Sequence, residues 1–190
     1  AICKILFSIP HITTAHAGDV FTIEKSKLLR LIGSFVLTHA DGITANSTYT
    51  RNSIISIEKR VGNIVQIIPM GVDKQRFWKK DQESHQKIPD SRIILSVGRL
   101  VEKKSMKYLI MAMEEVVNTY PDAKLLIGGD GPEKDNLIEL CRELKLDENV
   151  KFLGYIPDEK IPLIYSASDI FVLPSVETKH GDTEGLGVVL

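Results

Sequence analysis

The chain has 190 residues, of which 43% are hydrophobic and 26% charged, as is typical of a globular protein with one domain or two small ones. Its formal net charge of −1 gives no overall basic field, and no local basic patch stands out, so no nucleic-acid partner is predicted. No apolar stretch reaches the roughly 20 residues of a membrane span, and the opening residues lack the pattern of a secretory signal.

Short β-branched or apolar runs alternate with longer stretches of helical period. This alternation is typical of parallel sheets with crossover helices, so the predicted fold class is α/β. The first part should contain, in chain order, the end of a helix at 2–8, a strand at 11–15, a loop at 16–19, a helix near 25–38, a strand at 42–45, a helix from the N-cap Ser47 to about Arg60, and a strand at 63–68.

Residues 74–90 lose the hydrophobic pattern in a polar, charge-mixed stretch of the kind that connects domains. We therefore predict two domains, residues 1–75 and residues 76–190. The second should contain a strand at 93–97, a helix at 105–119, a strand at 124–127, a glycine turn at 128–132, a helix to Leu144, a strand at 150–153, a helix at 158–167 and a strand at 170–173.

The two cysteines, Cys3 and Cys141, have neither a metal-ligand spacing nor enough companions for a disulfide framework. Both lie in apolar, helix-like stretches, so reduced and buried thiols in a cytoplasmic protein are predicted. The chain begins without Met, and residues 185–190 enter an apolar element with no stop signal. These two ends favour the interpretation that the chain is an internal piece of a longer protein.

Two cations, Arg99 and Lys104, follow the predicted strand at 93–97 and should open the next helix. Ligands of open α/β sheets bind beyond the carboxyl ends of strands, and unpaired amides at a helix N-terminus favour negative charge. The segment therefore suits a diphosphate. Solvation of a surface loop is the competing interpretation, and it is the one favoured for Lys103.

A second polar segment, residues 177–184, leads into the glycine-marked turn at 185–187. The carboxylate of Glu184, beside exposed backbone N–H groups, suits the hydroxyls of a sugar. A metal site formed by His180, Asp182 and Glu184 is the weaker alternative, because ligands at alternate positions of a glycine loop are not preorganised.

The glycines at 128–131 lie at a strand-to-helix turn, with Pro132 expected at or near the first helical position. They lack the P-loop lysine and the full dinucleotide-binding spacing. A structural role in a tight turn is therefore favoured over phosphate binding.

In their order along the chain, these segments resemble family 4 retaining glycosyltransferases, also called glycosyl transferases group 1, which have the GT-B fold. The resemblance covers nearly the whole chain and rests on residues 14–19, 40–43 with Ser47, 68–73 with Phe77, 98–104, 129–132, 152–154, 168–175 and 184–187. It implies two Rossmann-like domains with parallel sheets, both incomplete here. Residues 1–75 would be the C-terminal part of the acceptor domain, and residues 76–190 a truncated donor-binding domain.

The resemblance implies transfer of a sugar, with retention, from a UDP- or GDP-linked donor to an acceptor hydroxyl, without a metal or other cofactor. Arg99 and Lys104 would hold the donor diphosphate and stabilise the charge of the leaving nucleotide. Glu184 would contact sugar hydroxyls, and the backbone near Ile156 would border the nucleobase. His16 would face the transferred sugar from the other domain. Backbone amides would reach the sugar or phosphates from Gly185, Leu186, Gly187 and Val188.

Departures from the family pattern have consequences for activity. The second glutamate of the family's pair would fall beyond Leu190, and the opening strands of the acceptor domain are missing, so this chain alone is expected to be inactive. Ser105 stands where glycine is common, a change expected to be tolerable. Rival functions are a sugar-nucleotide epimerase or phosphorylase of the same fold, or a non-catalytic sugar-nucleotide-binding module.

The resemblance also implies a setting in polysaccharide or glycoconjugate biosynthesis, with a carbohydrate or lipid-linked acceptor. Peripheral contact with the inner face of a membrane is a further alternative, since three basic residues lie beside four apolar ones, namely Lys25, Lys27 and Arg30 beside Leu28, Leu29, Leu31 and Ile32. An ordinary amphipathic core helix is the favoured interpretation of that stretch.

Overall fold

A computed structural model of the chain describes residues 1–75, Phe77 and residues 92–179. The chain divides into two compact units, whose main parts are Ala1–Gly71 and Val72–Val176. The domain boundary predicted between residues 75 and 76 adjoins a stretch outside the described residues, and it stays a prediction.

The first unit is built on a parallel sheet with the strand order β1-β2-β3. Its elements are α1 (Ile2–Phe7), β1 (Ile12–Ala15), α2 (Ala17–Glu24), α3 (Lys27–Thr38), β2 (Gly42–Ala45), α4 (Thr48–Ile57), a 3₁₀ turn (Lys59–Val61) and β3 (Val65–Ile67). Helix α4 begins as predicted, because the Ser47 side chain accepts the Thr50 N–H at 3.2 Å. The core of this unit includes Val20, Leu37, Ile43, Ile54 and Val65.

The second unit is built on a parallel sheet with the order β6-β5-β4-β7. Its elements are β4 (Ile93–Val97), a 3₁₀ turn (Glu102–Lys104), α5 (Met106–Thr119), β5 (Lys124–Gly128), α6 (Lys134–Glu143), β6 (Val150–Gly154), a 3₁₀ turn (Asp158–Lys160), α7 (Ile161–Ser166) and β7 (Ile170–Phe171). Its core includes Leu100, Ile110, Met113, Leu125 and Ile127. The predicted α/β class, with parallel strands joined by helices, is confirmed.

Two local predictions in the first unit are wrong. Residues 16–19 are not a loop, because His16 is the N-cap of α2 and the Asp19 carboxylate accepts the His16 backbone N–H at 2.9 Å. Cys3 is exposed, since α1 buries none of its residues, whereas Cys141 is buried as predicted.

In the second unit, the strand predicted at 170–173 is shorter, ending at Phe171. The Val172 N–H still donates to the Leu95 carbonyl at 2.8 Å, but Pro174 has no N–H to continue the ladder. The polypeptide after β7 therefore leaves the sheet early, at the same end as the residues that follow β4.

Helix α3 contains much of the basic and apolar stretch, and it is only partly a core helix. It buries Gly33 and Leu37, but Leu28 is 66% exposed and Leu31 is 69% exposed. In the described part of the chain, no helix is long and apolar enough to cross a bilayer.

Candidate functional site

The predicted diphosphate-binding cations lie at the carboxyl end of β4. There the Gly98 N–H donates to the Gly128 carbonyl and the Leu100 N–H donates to the Asp130 carbonyl, each at 2.9 Å. These bonds join the loop after β4 to the loop after β5. The segment that carries both cations is therefore held by main-chain bonds at one edge of the sheet.

The two cations differ in how the fold holds them. Lys104 is 9% exposed, and its side chain lies along the backbone of Gly98, where an added Cβ would be 3.5 Å from the lysine Cε. Arg99 is exposed. The site thus combines one cation fixed by packing with one that is open to solvent.

The connection from Arg99 to α5 differs from the expected direct helix start. A 3₁₀ turn ends at Lys104, and Ser105 then adopts the left-handed conformation with φ 48° before α5 begins at Met106. The Ser105 Oγ donates to the Glu102 carbonyl at 2.9 Å. The two cations therefore precede the α-helix, and Lys104 ends a tighter turn.

The glycines after β5 have the structural role that was favoured for them. Gly129 has φ 122°, and a Cβ there would collide with the Gly98 carbonyl oxygen. A Cβ on Gly131 would collide with the Leu100 carbonyl oxygen. The close approach of the two loops therefore requires residues without side chains.

The start of α6 lies next to these glycines. Pro132 is near the first helical position, as expected: Glu133 is the N-cap and α6 begins at Lys134. Hydrogen bonds from Lys134 and from the Gly131 N–H lower the pKa of Asp130, which keeps this loop carboxylate ionised.

Ile156, the residue predicted to border the nucleobase, follows β6 at the same edge of the sheet. Its side chain is 8% exposed and packs against Gly128, where any Cβ would collide with it. The Gly129 N–H donates to the Gly154 carbonyl at 2.7 Å, which joins the ends of β5 and β6. The structure therefore brings Arg99, Lys104 and Ile156 to one edge of one sheet.

The segment that follows β7 runs beside the cation loop, since the Val176 N–H donates to the Lys103 carbonyl at 2.9 Å. Ser175, in this segment, was not singled out as a site residue from the sequence. Its placement depends on a main-chain contact that no local motif reveals. The candidates Glu184, Gly185, Leu186, Gly187 and Val188, with the alternative metal ligands His180 and Asp182, lie outside the described residues.

His16 lies in the first unit, at the carboxyl end of β1, and its side chain is exposed. Its backbone is fixed by the capping interaction with Asp19 at the start of α2. An exposed imidazole on a fixed backbone suits ligand contact, and the expectation that it faces the transferred sugar stays a prediction.

Comparison with known proteins identifies a family. Residues 78–190 match the family described as glycosyl transferases group 1. The GDP-mannose-dependent alpha-(1-6)-phosphatidylinositol monomannoside mannosyltransferase of Mycolicibacterium smegmatis is 32% identical over 85% of this chain and 42% of that protein. The alpha-monoglucosyldiacylglycerol synthase of Acholeplasma laidlawii is 27% identical over 92% of this chain and 49% of that protein. The chain spans about half the length of these curated relatives.

Solved structures give the same fold. Anabaena HepE in complex with UDP superposes with a TM-score of 0.79, at 21% identity, over 92% of this chain and 49% of that chain. This likeness shows the GT-B type of α/β fold with parallel sheets, as the sequence resemblance implied. Together with the match over residues 78–190, more than half of the chain, it leads to one conclusion: the chain belongs to the glycosyl transferases group 1 family.

Proposed function

We propose that this chain is part of a retaining glycosyltransferase of family 4, which transfers a sugar from a UDP- or GDP-linked donor to an acceptor hydroxyl. One observation carries the proposal: in a chain of this family, Arg99 and Lys104 lie together beyond the carboxyl end of β4, in a loop bonded to the neighbouring strand end. That edge of a parallel sheet is where α/β proteins bind ligands.

In the proposed reaction, Arg99 and Lys104 bind the donor diphosphate. The bond between the anomeric carbon and the phosphate oxygen breaks, and the nucleoside diphosphate leaves with the bonding electrons. The two cations stabilise this growing negative charge, so no metal or other cofactor is required. The acceptor oxygen bonds to the same face of the anomeric carbon, and its proton passes to the departing phosphate. This same-face route retains the anomeric configuration without a protein nucleophile.

The remaining roles follow the family pattern. Glu184 binds sugar hydroxyls, and the backbone near Ile156 borders the nucleobase. His16 contacts the transferred sugar from the acceptor domain. Backbone N–H groups at Gly185, Leu186, Gly187 and Val188 donate to the sugar or the phosphates. The buried, fixed position of Ile156 supports its role, because a rigid wall orients a planar base.

The acceptor is a carbohydrate or a lipid-linked molecule, and the setting is polysaccharide or glycoconjugate biosynthesis in the cytoplasm. A lipid-linked acceptor is supported by the names of two relatives, one acting on a phosphatidylinositol mannoside and one making a glucosyldiacylglycerol. The exposed apolar side chains of α3, beside Lys27 and Arg30, support peripheral contact with the inner face of the membrane.

The experiment is to measure nucleoside diphosphate release by the complete protein from UDP- and GDP-sugars, with and without acceptors. A transferase releases the nucleotide only when an acceptor hydroxyl is supplied, and its product keeps the anomeric configuration of the donor. Consumption of the donor without an acceptor would indicate an epimerase. A requirement for inorganic phosphate would indicate a phosphorylase. Binding of the donor without turnover would indicate a non-catalytic module. The 190-residue chain alone should be inactive, and EDTA should not lower the rate of the complete enzyme.

A further inference from the structure

Helix α3 has a row of apolar side chains that the described residues of its own unit do not cover. Leu28 and Leu31 are largely exposed, and Ile32 and Phe35 are about half exposed. Their spacing of three and four residues places all four on one side of a helix with 3.6 residues per turn. We call these four residues the outer stripe. Clustered apolar side chains at a surface mark a place where a protein contacts a partner or a membrane.

The outer stripe is not the side of α3 that packs in the first unit. The buried residues of the helix are Gly33 and Leu37, which lie on its opposite side. There α3 packs closely on α2, because a Cβ added to Gly33 would be 2.7 Å from the Ile23 side chain. The helix therefore has two apolar sides, and the fold of this unit uses one of them.

Basic side chains border the outer stripe. Lys25 precedes α3, Lys27 is its first residue and Arg30 follows about one turn later, and all three are exposed. The helix itself contains no acidic residue. Glu24, the nearest acidic residue before the helix, accepts a hydrogen bond from the Ser56 hydroxyl at 3.3 Å. The charge beside the stripe is therefore positive, which complements the phosphates of anionic lipids.

We propose that the outer stripe binds the surface of an anionic lipid bilayer, with Leu28 and Leu31 inserted at the boundary of headgroups and acyl chains, and with Lys25 and Lys27 beside lipid phosphates. The inference extends the membrane contact in the proposed function and rests on that part of it alone. A helix with one exposed apolar side and flanking cations lies in the plane of the membrane interface. Helix α3 has 12 residues, fewer than the roughly 20 that cross a bilayer.

The same cations favour a lipid surface over a second copy of the chain. A symmetric contact through the outer stripe would bring Lys27 and Arg30 of one copy close to the same residues of the other. Like charges placed together oppose association, whereas lipid phosphates neutralise them. The apolar and the basic side chains therefore fit one partner at the same time.

The test is co-sedimentation of the complete protein with two kinds of vesicle, one of phosphatidylcholine alone and one of equal parts phosphatidylcholine and phosphatidylglycerol. The wild-type protein should prefer the anionic vesicles and bind them less tightly as the salt concentration rises. Leu28→Gln and Leu31→Gln should each weaken this binding about 10-fold or more, because an apolar side chain no longer leaves water. Lys27→Gln should weaken it about fivefold.

The matched control is Leu163→Gln, because Leu163 is an equally exposed leucine in α7 of the second unit. Glutamine favours a helix about as well as leucine, so these substitutions change the apolar surface and little else. Leu163→Gln should bind the anionic vesicles as the wild-type protein does. The two leucine variants of the outer stripe should keep the wild-type melting temperature and the wild-type Kd for UDP and GDP.

Failure of the wild-type protein to bind anionic vesicles, or unchanged binding by both leucine variants of the stripe, would overturn the inference and leave the proposed sugar transfer standing. A lower melting temperature of both variants would also overturn it, because the stripe would then be covered by protein. A second copy would be the cover if the variants shift a dimer to monomer, and another part of the polypeptide if they do not. Stripe-dependent vesicle binding by a protein that binds neither UDP nor GDP would support the inference and count against the donor site.

Discussion

Ser105 shows how one residue can fit a backbone that favours glycine. Its φ of 48° lies in the left-handed region, which costs a residue with a side chain about 1–2 kcal/mol. The hydrogen bond from its Oγ to the Glu102 carbonyl offsets part of that cost. This contact gives a physical reason to expect that serine is tolerated at position 105, which stays a prediction.

This balance predicts opposite effects for two substitutions. Ser105→Gly should raise the free energy of unfolding by about 0.5–1 kcal/mol, because the relief of backbone strain exceeds the loss of one hydrogen bond. Ser105→Ala should lower it, because alanine keeps the strained backbone and loses the bond. Denaturant unfolding measures both. A destabilised glycine variant would contradict the prediction.

The two cysteines should differ in reactivity. Burial, with a smaller effect of Asp147, raises the pKa of the Cys141 thiol to about 11, so little of the reactive thiolate is present near neutral pH. Cys3 is exposed. A thiol-specific reagent at about pH 7.5 should therefore modify Cys3 quickly and Cys141 only after unfolding. Cys3→Ser, as the control, should abolish the fast reaction, and rapid labelling in that variant would show that Cys141 is accessible.

At the scale of elements, Glu58 links α3 to the end of α4. It is 8% exposed, accepts two bonds from the Arg60 guanidinium at 2.8 Å, and accepts a third from the Ser34 hydroxyl at 2.6 Å. The Arg60 bonds, followed by the Ser34 bond, lower the pKa of Glu58 from 4.5 to about 2. This carboxylate therefore stays ionised in the folded protein well below its usual range.

The lowered pKa predicts a pH dependence of stability. Since the folded protein holds the proton less tightly than the unfolded chain, Glu58 stabilises the fold above about pH 4.5, and this contribution is lost as the pH falls toward about 2. Glu58→Gln should melt at a lower temperature near neutral pH and lose less stability on acidification than the wild-type protein. Ser34→Ala, which removes one of the bonds to Glu58, should fall between them. Melting followed by circular dichroism would show this, and parallel pH profiles for all three proteins would contradict it.

At the scale of the whole molecule, the alternation of apolar strands and periodic helices predicts the α/β class, because a parallel strand buried on both faces is apolar throughout its length. The sequence also predicts correctly that Arg99 and Lys104 follow a strand, since Val97 and Gly98 mark its end. The sequence also predicts the structural role of the turn glycines after β5, because few residues other than glycine allow two loops to approach so closely.

The helix start at His16 is a local feature that was missed, because Gly18 indicates a loop although Asp19, three residues after His16, caps the helix. Other features depend on tertiary contacts, which the sequence does not show directly. Cys3 was predicted to be buried because it lies in an apolar helix, but α1 buries none of its residues. Apolar composition alone therefore does not decide which helix of this chain is buried.

The assignment of His16 is tested by kinetics on the complete enzyme. A polar contact with the reacting sugar stabilises the transition state more than the ground state, so His16→Ala should lower kcat by roughly 100-fold or more and change the nucleotide Kd little. His39→Ala is the control, because His39 follows α3 and its ring contacts Phe35. Near-normal kcat in His16→Ala would leave His16 as a structural residue only.

The central claim is that the carboxyl edge of the second sheet binds a nucleotide diphosphate through Arg99 and Lys104. Titration calorimetry with UDP and GDP tests it most directly, on the complete protein and on Arg99→Ala, Lys104→Ala and the exposed control Lys107→Ala. Each of the first two variants should lose about 1.5–3 kcal/mol of binding free energy, because each removes a charge-assisted hydrogen-bond donor, and Lys107→Ala should bind as the wild type does. Unchanged affinity in both Arg99→Ala and Lys104→Ala would contradict the account.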